Sequence, residues 1–357
     1  MNARKFSQMV FLAIFFAILG AQLIMPVIPP VDVFEESPIR ADGFSPRALF
    51  KGMMAAPDAY TQYFNAHYAL RNWLVDANNF LRLWLFHERE FANVLIGEED
   101  WLYYTGEDNI RDFECTSPFN SKELAALVER LRGWDERLSE HRIQFYFVIA
   151  PNKESIYPQY LPDQIKTGWN ACRLDQLMNA LETTNIKTLD LRQPLLLAAE
   201  RTQVYHRTDT HWNDTGALVA VQEMMSLIKH DFPEVTVPTI DRFNSSPRSF
   251  SGDLAAFIPE DPRFVEQAVF LTPVGGHHAE LTQGEGRVVM SKTKDDFLPK
   301  VLVFRDSFSD ALIPFLAEQF SRGLYMHAFA PDFDLVEEGQ PDIVILEVAQ
   351  RYLGLLR

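Results

Sequence analysis

Asp209, Thr210, His211 and Trp212 stand together in the run YHRTDTHWND, Tyr205 to Asp214, and Ser307 stands in VLVFRDSFSD, Val301 to Asp310. A carboxylate, an imidazole and a hydroxyl are the parts of a proton relay. A serine hydroxyl is a weak nucleophile until a base takes its proton, and the base needs an acid to orient it. Ser307 is predicted just past an apolar strand, at a strand-to-helix turn. Free N–H groups and the dipole of the next helix would there face a developing oxyanion. Each residue also has a plainer reading: Ser307 as a helix cap, Asp209 as a turn former, His211 as a satisfied structural histidine. Spacing alone does not show that Asp209 meets His211.

The elements that must position these groups follow from hydrophobic period. IQFYFVIAP is a near-continuous apolar run, as a buried parallel strand requires. IKTLDL, KVLVF, GLYMHAF and PDIVILEVA are four further strands. Between them lie an amphipathic helix over 121–142 with Ser121 as its cap, the helix-like CRLDQLMNALETT, DTGALVAVQEMMSLIKH capped by Asn213, and SDALIPFLAEQF. This alternation predicts an α/β fold, a parallel sheet flanked by helices. Ligands then bind beyond the carboxyl ends of the strands. Asn152 and Lys153, at the end of FYFVIAP, face that cleft and either hold substrate or cap a turn. Trp212 is read as a pocket wall in preference to a sugar platform. NVLIGEEDWLYYTGE reads as a strand-turn-strand around Glu98 to Asp100. Asp253 in SGDL is accounted for by an Asx-turn, and His277-His278 by the surface.

With 33 Lys plus Arg against 49 Asp plus Glu, the net charge is −16. Phosphate contacts need clustered cations, so nucleic acid is a poor partner. The same balance favours a neutral or weakly charged substrate. Residues 1–30 carry Arg4 and Lys5, then about twenty residues without a charge, long enough to span a bilayer. Basic residues before the run and acidic ones after it predict an anchor helix with the body outside, in the periplasm. A cleaved signal peptide is the alternative, with Leu19-Gly20-Ala21 as the cleavage site. Residues 31–56 read as a linker and 57–357 as the main domain, with a Pro- and Gly-rich insertion of short β-like segments at about 232–295. In 57–92, Tyr60, Phe64, His67, Leu70, Leu74 and Leu81 fall on one helical face, read as core. Cys115 and Cys172, the two cysteines, are candidates for one disulfide in an oxidising compartment, or are unrelated small core residues. No Cys/His spacing suggests zinc or another metal, and no Gly-rich phosphate loop suggests a soluble cofactor.

TDTHWND and FRDSFSD resemble the Asp-x-His and Asp-Ser-Phe signatures of the AlgX/AlgJ-type alginate O-acetyltransferase family. EEDWLYY, PNKESIYPQYLP, SGDLAAF and the apolar N-terminal run agree, so the likeness covers most of 57–357. It implies an SGNH hydrolase-like fold with circularly permuted motif order. By resemblance Ser307 is the nucleophile, His211 the general base and Asp209 the orienting acid. An acetyl group would pass through acetyl-serine to a hydroxyl of an exported polysaccharide. The donor would be a membrane-bound O-acyltransferase partner, reached from the N-terminal membrane anchor. An acetylesterase, or a non-catalytic glycan-binding assembly subunit, would carry the same fold. Where SGNH hydrolases place an oxyanion-hole asparagine, this chain has Glu347, Gln350 and Arg351. Arg351, or the N–H groups of Ser307 and Phe308, would replace it. Arg305 stands where many relatives have Gly; it would narrow the turn, pair with Asp306 or face the substrate.

Overall fold

Alternation along each central strand sends neighbouring side chains to opposite faces, and both faces are apolar. In the computed structural model, which describes residues 71–356 apart from Ala92, Trp169 and Glu285, this gives a sheet covered on both sides. The chain divides into two units, residues 1–87 and 88–357. Of the first, the helix α1 (Arg71–Trp84) is described. On it Phe80, Leu81 and Trp84 are exposed and Leu83 is buried, so Leu81 is not the core residue expected. The anchor segment, the linker, Tyr60, Phe64, His67 and Leu70 lie outside the described residues. No helix among the described residues is long and apolar enough to cross a membrane.

The second unit opens with a small antiparallel sheet, β1 (Glu90–Phe91), β2 (Val94–Ile96) and β3 (Leu102–Tyr104). The turn between β2 and β3 is a 3-10 turn at Glu98–Asp100, as the sequence suggests. The main sheet contains β4 (Gln144–Ala150), β5 (Lys187–Asp190), β8 (Glu280–Gln283), β9 (Val289–Lys292), β10 (Lys300–Arg305), β11 (Arg322–His327) and β12 (Ile343–Ala349). Its order is β5-β4-β12-β10-β11-β9-β8. The five strands read from the sequence are all present and pair in parallel.

The segment 232–295 differs from a simple insertion. β6 (Phe243–Phe250) and β7 (Glu266–Pro273) form a separate antiparallel ribbon. β8 and β9, however, extend the main sheet by antiparallel pairing on β11. β8 is four residues, all exposed, and β9 four residues alternating buried and exposed; runs this short carry too little period to be read as members of the main sheet.

Register makes the two cores. Tyr146, Val148, Val301, Val303, Ile343 and Ile345 pack on one side with helix α4 (Asp214–Ile228). Phe145, Phe147, Leu302, Phe304, Val344 and Leu346 pack on the other with α2 (Ser121–Glu140) and α3 (Arg173–Leu181). Asn213 caps α4 as expected, accepting the Gly216 N–H at 3.0 Å. The cap of α2 is Asn120, not Ser121. Its side chain accepts the N–H groups of Lys122 and Glu123 at 3.0 Å, and Glu123 closes the box on the Asn120 N–H. The helix expected after β10 is broken into a 3-10 turn at Ser307–Asp310, a short α turn at Ile313–Leu316 and a 3-10 turn at Ala317–Gln319. Pro314 lacks an N–H and limits helix on its N-terminal side.

Asn120→Ala is expected to destabilise the protein by about 1 kcal/mol in denaturant unfolding. Ser121→Ala, one residue inside the helix, is expected to change stability by no more than about 0.5 kcal/mol.

Candidate active site

Three groups meet at the carboxyl end of β10. His211 Nδ1 lies 2.7 Å from Asp209 Oδ1, and His211 Nε2 lies 2.8 Å from Ser307 Oγ, 96 residues away. The Asp209 oxygen therefore accepts the Nδ1 proton and leaves Nε2 to accept from the Ser307 hydroxyl. The His211 side chain keeps 24% of its exposure, so a small reactant reaches the pair from solvent. Burial alone would raise the Asp209 pKa. Hydrogen bonds from the His211 ring, the His211 N–H and the Asp253 N–H outweigh it and hold the carboxyl well below the usual range. The group stays ionised, as an orienting carboxylate must.

Distant side chains hold the loop that carries this pair. Tyr205 and Trp212 pair across its base, and the His206 N–H donates to the His211 carbonyl at 3.2 Å. The Lys153 ammonium, 3% exposed, donates to the carbonyls of His206, Arg207 and Asp209 at 3.0, 3.3 and 2.5 Å. Burial lowers its pKa to about 8. Glu266 accepts from the N–H groups of Arg207 and Thr208 at 3.0 and 2.8 Å and from the Thr208 hydroxyl at 2.7 Å. Asp253 accepts the Thr210 N–H and hydroxyl, both at 2.7 Å. Asp253 is therefore not serving an Asx-turn of its own; it reaches across 43 residues. Gly252 makes the approach possible, since a Cβ there would fall 2.6 Å from the Asp209 main chain.

The turn bearing Ser307 is clamped by its neighbours. Asp306 is fully buried; its carboxylate accepts the Phe308 N–H at 2.8 Å and the Ala349 N–H at 2.6 Å, joining the ends of β10 and β12. Burial raises its pKa. The Ser309 hydroxyl donates to Glu347 at 2.7 Å. Burial, then the charge of Asp306, pushes Glu347 well above the usual carboxylate range. The Phe308 N–H is thus spent on Asp306. Ser307, first in its 3-10 turn, keeps an N–H with no acceptor inside that turn.

Several residues expected to touch substrate do not face it. Trp212 is 1% exposed and donates through Nε1 to the Phe308 carbonyl at 3.0 Å; it packs edge-on against the Phe308 ring and is neither wall nor platform. Lys153 is consumed by the loop. Asn152, 1% exposed, bonds Asn109 and accepts the Arg351 N–H at 3.2 Å. Arg305, 2% exposed, donates to the Asp306 carbonyl at 3.0 Å and pairs with Asp310. It braces the turn from beneath. Arg351 is also buried. Its guanidinium sits 4.9–5.5 Å from the Tyr104, Phe308 and Tyr352 ring centres and 3.6 Å from Glu107. Cys115 and Cys172 form a disulfide, with Cα atoms 4.4 Å apart. His206 is buried and stacked on Phe250, while His277 is exposed beside Glu318.

Asp209, His211 and Asp253 also bring one ligand atom each within 4.8 Å of one another. Those atoms already exchange hydrogen bonds with each other and with Thr210, so a cation would have to displace the relay. Glu266 was the position sequence reasoning missed, an acidic residue in a segment of weak period; Gly252 stood inside the family-like run SGDLAAF with no role assigned to it.

Residues 94–324 match the family described as an SGNH hydrolase-like domain, acetyltransferase AlgX. A Pseudomonas syringae pv. tomato protein named "Probable alginate O-acetylase AlgJ" is 30% identical over 183 residues, 50% of this chain and 44% of its own length. A Pseudomonas fluorescens protein of the same name is 26% identical over 293 residues, 75% of this chain and 70% of its own. The chain thus spans less than half of the first of these relatives. The solved structure of Bacillus cereus PatB1 shares the fold, with a TM-score of 0.57 at 16% identity over 73% of this chain and 96% of that one.

Gly252→Ala is expected to cost about 1–3 kcal/mol by overpacking against Asp209, measured by denaturant unfolding. Asp209 contributes stability through a depressed folded pKa. That contribution is whole above the unfolded value of about 4 and is lost as pH falls through the folded value. The stability gap between wild type and Asp209→Asn is therefore expected to be constant from neutral pH to about 4 and to narrow in stronger acid.

Proposed function

The chain belongs to the AlgX family of SGNH hydrolase-like acetyltransferase domains, and from that premise we propose that it transfers acetyl groups through Ser307 to hydroxyls of an exported polysaccharide. The observation that carries the reading is the continuous line from Asp209 Oδ1 through His211 to Ser307 Oγ, at 2.7 and 2.8 Å.

In the first half-reaction Ser307 Oγ attacks the carbonyl carbon of an acetyl donor while His211 Nε2 takes its proton. The Ser307 N–H faces the oxyanion. As the tetrahedral adduct collapses, the donor's C–O or C–S bond breaks and His211 returns the proton to the leaving group. Acetyl-Ser307 remains. In the second half a sugar hydroxyl gives its proton to His211 and attacks the acetyl carbon, releasing the Ser307 hydroxyl. Asp209 holds the ring in the tautomer both halves need and stabilises its charge.

The remaining parts of the reading rest on the sequence. The charge-free run in residues 1–30 supports an inner-membrane anchor with the body in the periplasm, within reach of a membrane-bound O-acyltransferase as donor. The reversed order of the Asp-x-His and Ser motifs supports a permuted arrangement of the fold. The relatives' name points to an alginate. A net charge of −16 and the half-exposed Asp253 carboxylate beside His211 favour a neutral or weakly charged polymer.

The test gives the purified protein a small acetyl ester and a panel of polysaccharides and follows polymer-bound O-acetyl groups. Ser307→Ala and His211→Ala are each expected to lower transfer by at least about a thousandfold, and the double variant by no more than the worse single one, because the groups act as a unit. A neutral glucan or mannan is expected to be acetylated faster than alginate. Unchanged transfer in Ser307→Ala overturns the acyl-serine route, and release of acetate with no polymer product makes the protein an esterase.

A further inference from the structure

Asp253 presents a second carboxylate to the same face of His211 that Asp209 engages. Its Oδ2 lies 3.8 Å from His211 Nδ1. Both of its oxygens are fixed by Thr210, the residue between Asp209 and His211, at 2.7 Å each. Its own N–H donates to Asp209 Oδ2 at 2.8 Å. One residue therefore grips the base and its orienting acid together. It does so from a separate element, the 3-10 turn Asp253–Phe257. The two carboxylates differ in setting: the Asp253 side chain is 44% exposed, that of Asp209 12%.

We propose that Asp253 is a positioning residue for the relay, a second negative charge held against His211 that steadies the protonated ring formed when Ser307 loses its proton. This rests on the acyl-serine reading above. Asp209 supplies a direct hydrogen bond to the ring, and Asp253 supplies charge at slightly longer range. The Thr210 contacts keep that charge from swinging into solvent, which is what lets a half-exposed carboxylate act at a fixed distance. The other charged groups near the ring are Asp209 on its own loop and Asp306 at the end of β10. Arg351, against the Phe308 ring from the segment after β12, opposes them. Asp253 is the most exposed of the three carboxylates, so its effect is the one that salt screens.

The experiment compares the full-length wild type with Asp253→Asn. Asparagine keeps the shape and an oxygen to accept the Thr210 N–H, and it removes the charge. With a small acetyl ester, turnover is expected to fall by about 2–5-fold in low salt, the size of a part-exposed ion pair. The acid limb of the kcat/KM profile is expected to move to lower pH by a few tenths of a unit. Both differences are expected to shrink at about 1 M salt, where the screening length is about 3 Å. A fall in turnover that salt leaves unchanged, with an unmoved pH profile, overturns the proposal in favour of a purely structural clamp. Unchanged turnover also overturns it. Should the wild type show no Ser307-dependent turnover, the acyl-serine reading fails instead. The proposal is then decided by an NMR titration of the His211 ring in both proteins: a midpoint lowered in Asp253→Asn supports it, and coincident curves overturn it.

Discussion

The site depends on satisfying the main chain of one short loop. Residues 206–211 lie between the helix Arg192–Ala199 and α4, outside the main sheet, and main-chain bonds serve only part of their N–H and C=O groups, as where the Arg207 carbonyl accepts the Leu102 N–H at 2.9 Å. Three buried or half-buried charged side chains hold much of the rest. Lys153 takes three carbonyls, Glu266 takes two N–H groups and a hydroxyl, and Asp253 takes an N–H and a hydroxyl. A loop tied from three directions presents Asp209 and His211 in one arrangement. The low pKa of Asp209 comes from further contacts, the hydrogen bonds from the His211 ring, the His211 N–H and the Asp253 N–H, which fix the carboxylate and favour its ionised form. Asp253 belongs to both sets, holding Thr210 through its carboxylate and Asp209 through its N–H.

The hydroxyl side is built on the opposite principle. Ser307 opens a 3-10 turn two residues past the end of β10, and the clamp is a buried acid. Asp306 joins the nucleophile turn to the end of β12 through two main-chain N–H groups, with Arg305 beneath and Trp212 against the Phe308 carbonyl. One consequence is that the Phe308 N–H is unavailable to an oxyanion. Another is that the turn needs no long helix behind it: Pro314 breaks the helix, and the hydrogen bonds of Asp306 and Trp212 hold Ser307 in its place.

Much of this was legible from hydrophobic period. Four of the five parallel strands run for six or seven mostly apolar residues and bury alternate residues on each side of the sheet, so they could be read from the chain; β5, four half-buried residues, was legible from its place after a helix-like run. Ser307, His211 and Asp209 were legible because the chemistry of a relay limits the residue types that serve it. The shell around them was not. Lys153, Asn152, Arg305 and Trp212 were expected near substrate because polar and aromatic residues beside a cleft usually face it; burial with internal partners reverses that. Glu266 and Asp253 act at separations of 59 and 43 residues from segments with little period, and nothing local in a sequence states such a pairing. The same weakness hid β8 and β9 inside what looked like an insertion.

The central claim is that the hydroxyl held by His211 becomes the acyl carrier. The most direct measurement treats the protein with an activated acetyl ester, quenches it in acid, and locates the added acetyl group by peptide mass spectrometry. The account requires a transient acetyl group on Ser307 that is absent in His211→Ala at the same time point. An acetyl group found on another residue, or formed on Ser307 equally well without His211, would contradict it.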